Sequence, residues 1–89
     1  MIFVTLSRWR KKPTKDALVE SSRLWKLAEK EGVKLLAGYS TLGRYDSVAI
    51  TEAKDEKAVM KFLMQWGDML STETLVAVTR EEAIKLIEA

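Results

Sequence analysis

From Met1 to Trp9 the side chains alternate: Ile2, Val4 and Leu6 fall on one side, Phe3, Thr5 and Ser7 on the other. A period of two predicts a strand. Arg10-Lys11-Lys12-Pro13 ends it, and Thr14 is placed to cap a helix running to about Glu31. Along that helix Ala17, Ser21, Leu24 and Ala28 recur at helical spacing, with Leu18, Trp25 and Leu27 beside them. Gly32 supplies the left-handed residue that closes it. A second strand is predicted over residues 33–42. Gly43-Arg44 suits a two-residue type II′ turn, and a third strand follows over 45–52. Asp55 caps the next predicted helix, whose inner stripe holds Ala58, Val59, Phe62, Leu63, Trp66 and Leu70. Gly67 weakens or ends it. Residues 72–78 read as a fourth strand. Thr79-Arg80-Glu81-Glu82 forms a capping box that opens a short last helix, with Ile84 and Ile87 expected to face inward.

The order is β-α-β-β-α-β with an extra C-terminal helix, in one domain over residues 1–89 without repeats, linkers or low-complexity stretches. Right-handed crossovers turn this order into an α+β fold. It has a four-stranded antiparallel sheet with both long helices on one face, the ferredoxin-like arrangement.

Such a sheet has a helix-free face. The turn at Gly43-Arg44 pairs Thr41 with Asp46 and Tyr39 with Val48. One face then collects Ile2, Val4, Leu6, Leu35, Val48, Ile50, Val76 and Val78, and its aliphatic character assigns it to the helices. The other carries Phe3, Thr5, Ser7, Leu36, Gly38, Leu42, Tyr45, Ala49, Leu75 and Ala77. A sheet face meant for water shows charges; this one is small and apolar. The expectation is a homodimer paired through that helix-free face, since bare apolar patches mark interaction sites and isologous dimers are the commonest assembly.

Composition narrows the rest. A chain of 89 residues buries only about 60–65% of its unfolded surface, so association is a common route to further burial. No apolar run approaches the ~20 residues of a membrane span. Met1 leads directly into Ile2-Phe3-Val4, a strand rather than a signal peptide, and a cytoplasmic location is expected. The chain has no asparagine, histidine or cysteine, and Gln65 is its only glutamine, which suits a thermophilic source. The net charge of +2 is unevenly placed: residues 1–15 hold Arg8, Arg10, Lys11, Lys12 and Lys15 and no acid.

The missing residues exclude chemistry. Without histidine or cysteine no Ser-His-Asp or Cys-His set can form within the chain. No clustered acidic spacing suggests a metal site, no histidine or cysteine can ligate haem, and no Gly-rich phosphate loop is present. No cofactor is expected. Arg8-Trp9-Arg10-Lys11-Lys12 could stack a base and meet phosphates, yet the rest of the chain is net acidic and a solvated loop accounts for these charges; nucleic acid is not the expected partner.

The topology brings several chemically useful residues to one end of the domain. The first strand ends there at Trp9, the turn with Arg44, Tyr45 and Asp46 lies there, the second helix finishes at Trp66, and the first helix begins there. Trp9, Tyr39, Arg44, Asp46 and Trp66 are the candidate ligand-binding residues, in a cleft between sheet and helices. The aromatics together with Arg44 and a helix N-terminus suggest a planar or anionic ligand. Asp46 and Tyr45 are the candidates for acid–base work. Each has a structural reading as well: Asp46 as an acceptor for turn backbone or Arg44, Tyr45 as an interface residue, and Trp66 as core.

Gly38-Tyr39, then Leu42-Gly43-Arg44-Tyr45-Asp46 leading into Ser47-Val48-Ala49-Ile50, resembles the GYD-domain family. Thr72 to Ala77 is similar to its closing strand, and the opening strand ending in Trp9 fits as well. The resemblance implies a ferredoxin-like fold of the dimeric α/β-barrel type, an architecture shared by cofactor-poor monooxygenases, haem enzymes, isomerases and ligand-sensing domains. It implies no reaction. Three functions stay open: a dimeric small-molecule-binding or sensing domain, a cofactor-independent enzyme of the monooxygenase or isomerase type, and a structural or regulatory dimer without ligand.

Overall fold

A computed structural model describes residues 1–88. Strand β1 (Ile2–Trp9) is followed by helix α1 (Lys15–Lys30), strands β2 (Lys34–Ser40) and β3 (Ser47–Glu52), helix α2 (Glu56–Met64), strand β4 (Leu70–Ala77) and helix α3 (Arg80–Glu88). The sheet runs β2-β3-β1-β4, with every neighbouring pair antiparallel. This is the ferredoxin-like order, as the element sequence predicts.

Local chemistry sets the helix ends. Thr14 Oγ1 accepts the Ala17 N–H, and Asp55 Oδ1 accepts the Ala58 N–H, each satisfying one orphan donor of a first turn. At the end of α1 the Val33 N–H reaches the Ala28 carbonyl and the Gly32 N–H reaches that of Glu29. This is a Schellman closure, and it requires the positive φ of +92° that Gly32 adopts. Val33 and Ala28 are both buried there, so the same turn that ends the helix anchors it in the core.

The predicted pairing of the β2–β3 hairpin holds. Tyr39 lies opposite Val48, and the Thr41 N–H donates to the Asp46 carbonyl. The ladder stops at Ser40–Ser47, and residues 41–46 bend as a loop around Gly43, whose φ is +103°.

On β1 and β3 the assignment of sheet faces is reversed relative to the expectation. Phe3, Thr5 and Ser7 are buried under the helices, and Thr51 is buried beside them opposite Phe3. Ile2, Val4 and Leu6 therefore look away from the helices, as do their cross-strand partners Val48 and Ile50. Aliphatic content misled because it counts each strand face alone. The helices bring the bulk: Trp25, Phe62 and Trp66 form an aromatic group with ring centroids 4.7–5.9 Å apart. Large side chains on one layer need small ones on the other to reach close packing. Strand β4 keeps its expected faces, with Leu75 opposite Val4 and Val76 opposite Phe3, and Leu35 is a further exception to the reversal. A bulge between Leu35 and Ala37 places it opposite Thr51, on the helix side.

The core comprises Phe3, Leu24, Ala28, Val33, Ala53, Val59, Phe62 and Trp66. Helix α3 takes no part in it. Its capping box forms, with the Glu82 N–H donating to Thr79 Oγ1. Ile84 and Ile87, expected inside, are nevertheless 41% and 85% exposed, and Leu86 is 72% exposed. Only Val78 and Thr79 separate α3 from β4, too short a link to carry it over α1 and α2 onto the covered side of the sheet.

Candidate functional site

Because the helix side of the sheet is built from small residues, the two layers do not close completely. A cavity of about 300 Å³ lies between them. Thr5 and Ser7 from β1, Gly38 from β2, and Ala49 and Thr51 from β3 form its floor; Ser21 and Trp25 from α1 and Phe62 and Trp66 from α2 form its roof. The floor is rich in hydroxyls and the roof in aromatic rings, a lining that suits a small ligand carrying both apolar and polar surface.

The hydroxyls differ in how they are satisfied. Thr5 Oγ1 pairs with Thr74 Oγ1 at 2.9 Å across the β1–β4 boundary. Thr51 Oγ1 and Trp66 Nε1 are buried and have no hydrogen-bond partner among the described residues. A buried polar atom left unpaired costs about 1–3 kcal/mol. Both atoms are sealed from water, so their lack of partners is a cost of packing the core.

One end of the domain gathers the residues singled out from the sequence. The Asp46 N–H donates to the Ser7 carbonyl at 2.8 Å, and Asp46 Oδ2 accepts the Trp9 N–H at 2.8 Å. Arg10 Nε donates to the Gly67 carbonyl, closing the same end against the turn after α2. Trp9, Tyr39, Asp46 and Trp66 all line the cavity. Tyr39 and Asp46 are exposed residues at its rim, whereas Trp66 is buried in the roof.

Arg44 does not line the cavity. Its guanidinium lies over the ring of Tyr45, 5.7 Å from the centroid, because Gly43 turns the loop away from the sheet edge. The start of α1 is not at the cavity either. Thr14, Ala17, Lys11 and Lys12 line a separate recess of about 170 Å³, with Trp9 standing between the two. The positive groups that suggested an anionic ligand are thus outside the main cavity.

The two acid–base candidates have structural partners. Asp46 holds the Trp9 amide. The Tyr45 hydroxyl donates to Glu73 Oε2 at 2.8 Å. This hydrogen bond to Glu73, with some desolvation and the Glu73 charge, raises the Tyr45 phenol above the ordinary tyrosine value. Among the described residues no group of three or more acidic, histidine or cysteine side chains could hold a metal ion. No described helix is long and apolar enough to cross a membrane.

Sequence reasoning missed Thr5, Ser7, Ala49 and Thr51 as site residues. Their signal in the sequence is a run of small residues on one sheet face, a pattern that suits a contact surface between subunits equally well. Three aromatics at helical positions over such a floor are the mark of a cavity.

Solved structures share the fold. The chain is similar to SCO4226 from Streptomyces coelicolor A3(2), with 14% identity, a TM-score of 0.57, and 86% of this chain and 98% of that one covered. It is also similar to FFRP-DM1, with 18% identity, a TM-score of 0.54, and 88% and 100% covered. At these identities the likeness establishes the fold alone. Comparison with curated proteins yields no match. Among family models, the one described as GYD domain matches residues 3–87.

Proposed function

The chain belongs to the GYD domain family, and from that premise we propose that it is a homodimeric domain that binds or senses a small molecule in the cavity between its sheet and its helices. The observation that carries this reading is the cavity itself. It occupies about 300 Å³, at the lower end of the range of ligand sites. A space with no role would be expected to be filled, since each missing buried contact weakens a small core.

The homodimer is supported by the helix-free face of the sheet. Ile2, Val4, Leu6, Val48 and Ile50 share it, with Leu75 beside Val4. Ile2, Val4, Leu6, Val48 and Ile50 are more aliphatic than Thr5, Ser7, Gly38 and Ala49, which the alternation assigns there. A second copy would cover them by two-fold symmetry. An acid–base enzyme finds less support, because Asp46 and Tyr45 are engaged by Trp9 and Glu73.

Native mass spectrometry of the protein purified from its source tests both parts together. The expected result is twice the chain mass of 10.1 kDa with a bound small molecule that is lost on replacing Ala49 by leucine, which fills the floor. A bare monomer at micromolar concentration would overturn the reading.

A further inference from the structure

The chemistry of the cavity wall restricts what it can hold. Among the described residues no lysine or arginine lines it, and Asp46 is its one charged wall residue. That carboxylate sits at the rim and already accepts the Trp9 amide. An anionic guest would enter without a counter-ion and approach a like charge. A cationic guest would find a single exposed carboxylate and no second acid. Burying an unpaired charge is strongly unfavourable.

Size and shape add a second restriction. An engineered cavity of about 150 Å³ accepts one benzene; this one is about 300 Å³. Its roof presents three aromatic rings, Trp25, Phe62 and Trp66, tilted against one another. Facing them is a floor of small residues, over which a flat molecule can lie.

Hydrogen bonding adds a third. Ser21, Tyr39, Ser40 and Ser47 line the cavity without being buried, and a hydroxyl can donate or accept, so the complementary guest offers at least one polar oxygen.

Resting on the ligand-binding reading above, we propose that the cavity selects an uncharged, flat molecule of one or two fused rings bearing a hydroxyl or carbonyl oxygen, lying under the Trp25, Phe62 and Trp66 rings with its oxygen toward the wall hydroxyls. Phenolic, quinonoid and oxidised indole compounds share this chemistry.

The test uses the intact ¹⁵N-labelled protein near pH 7 with two probes of equal shape, 2-naphthol and 2-naphthoate. Nuclear magnetic resonance follows the backbone amides of Ala49 and Thr51 and the Trp66 indole, which the Trp66→Phe variant identifies. The expected result is a shift of all three with 2-naphthol and an affinity at least ~10-fold above that for 2-naphthoate, because the carboxylate must be desolvated. Binding of 2-naphthoate at the same three positions as tightly as 2-naphthol overturns the charge selection and leaves ligand binding in place. If neither probe moves any of the three signals, both this proposal and the binding reading fail.

Discussion

The carboxylate of Asp46 accepts the backbone N–H of Trp9, Oδ2 to N at 2.8 Å. The relationship is a repair of the sheet. The β1–β3 ladder ends at Ser7–Ser47, and the Tyr45 carbonyl beyond it is taken by the Thr41 hydroxyl. Trp9 would otherwise have no strand partner on that side. The aspartate side chain replaces the missing acceptor and fixes the loop of residues 41–46 beside the cavity rim.

Replacing Asp46 by alanine should therefore destabilise the domain by about 1 kcal/mol, toward the low end for a charge-assisted hydrogen bond because the site is exposed. Asp46→Asn keeps an acceptor and should cost less. Urea denaturation of the two variants checks the order.

Thr51 offers a prediction of opposite sign. Its hydroxyl is buried without a partner, so Thr51→Val should stabilise the unliganded protein by about 1 kcal/mol. A raised midpoint in thermal unfolding is the expected outcome. A lower midpoint would show that the hydroxyl is satisfied in solution.

Tyr45 predicts a pH dependence. Its hydrogen bond to Glu73 raises its pKa in the folded state, so the folded protein holds that proton more tightly than the unfolded chain. The associated stability is complete below the unfolded tyrosine value of about 10. It is lost as pH rises from there through the higher folded value. Phenolate absorbance of the folded protein should show a late-titrating component that disappears in Tyr45→Phe.

The aromatic roof is expected to dominate stability. Phe62 is buried between Trp25 and Trp66, at 4.7 and 5.7 Å between centroids. Phe62→Ala should cost about 3–5 kcal/mol, a large part of the roughly 5–15 kcal/mol available to a domain. Loss of a cooperative transition at moderate temperature is the expected outcome by calorimetry.

The helix-free face predicts a change of mass. Val4 and Ile50 are cross-strand partners at its centre. Ile50→Lys should leave the covered core untouched and yield a species of 10.1 kDa by light scattering, where the unaltered protein is expected at twice that mass. An unaltered protein that is already monomeric removes the dimer from the proposal.

The sequence by itself determined the elements, their order and much of their chemistry. Thr14, Asp55 and Thr79 were legible as caps and Gly32 as a helix stop, because each acts through hydrogen bonds or dihedrals within a few residues. The pairing of Tyr39 with Val48 was legible for the same reason, since the intervening loop is short. Trp9, Asp46 and Trp66 could be placed at one end of the domain from topology alone. Tertiary structure decided which sheet face the helices cover. Period two sorts Phe3, Thr5 and Ser7 from Ile2, Val4 and Leu6 but does not say which set lies inside. That choice depends on volumes contributed by Trp25, Phe62 and Trp66, which lie far away in the chain. The bulge at Leu36, the displacement of Arg44 from the cavity and the exposed α3 are likewise settled by packing between layers, where local pattern carries no information.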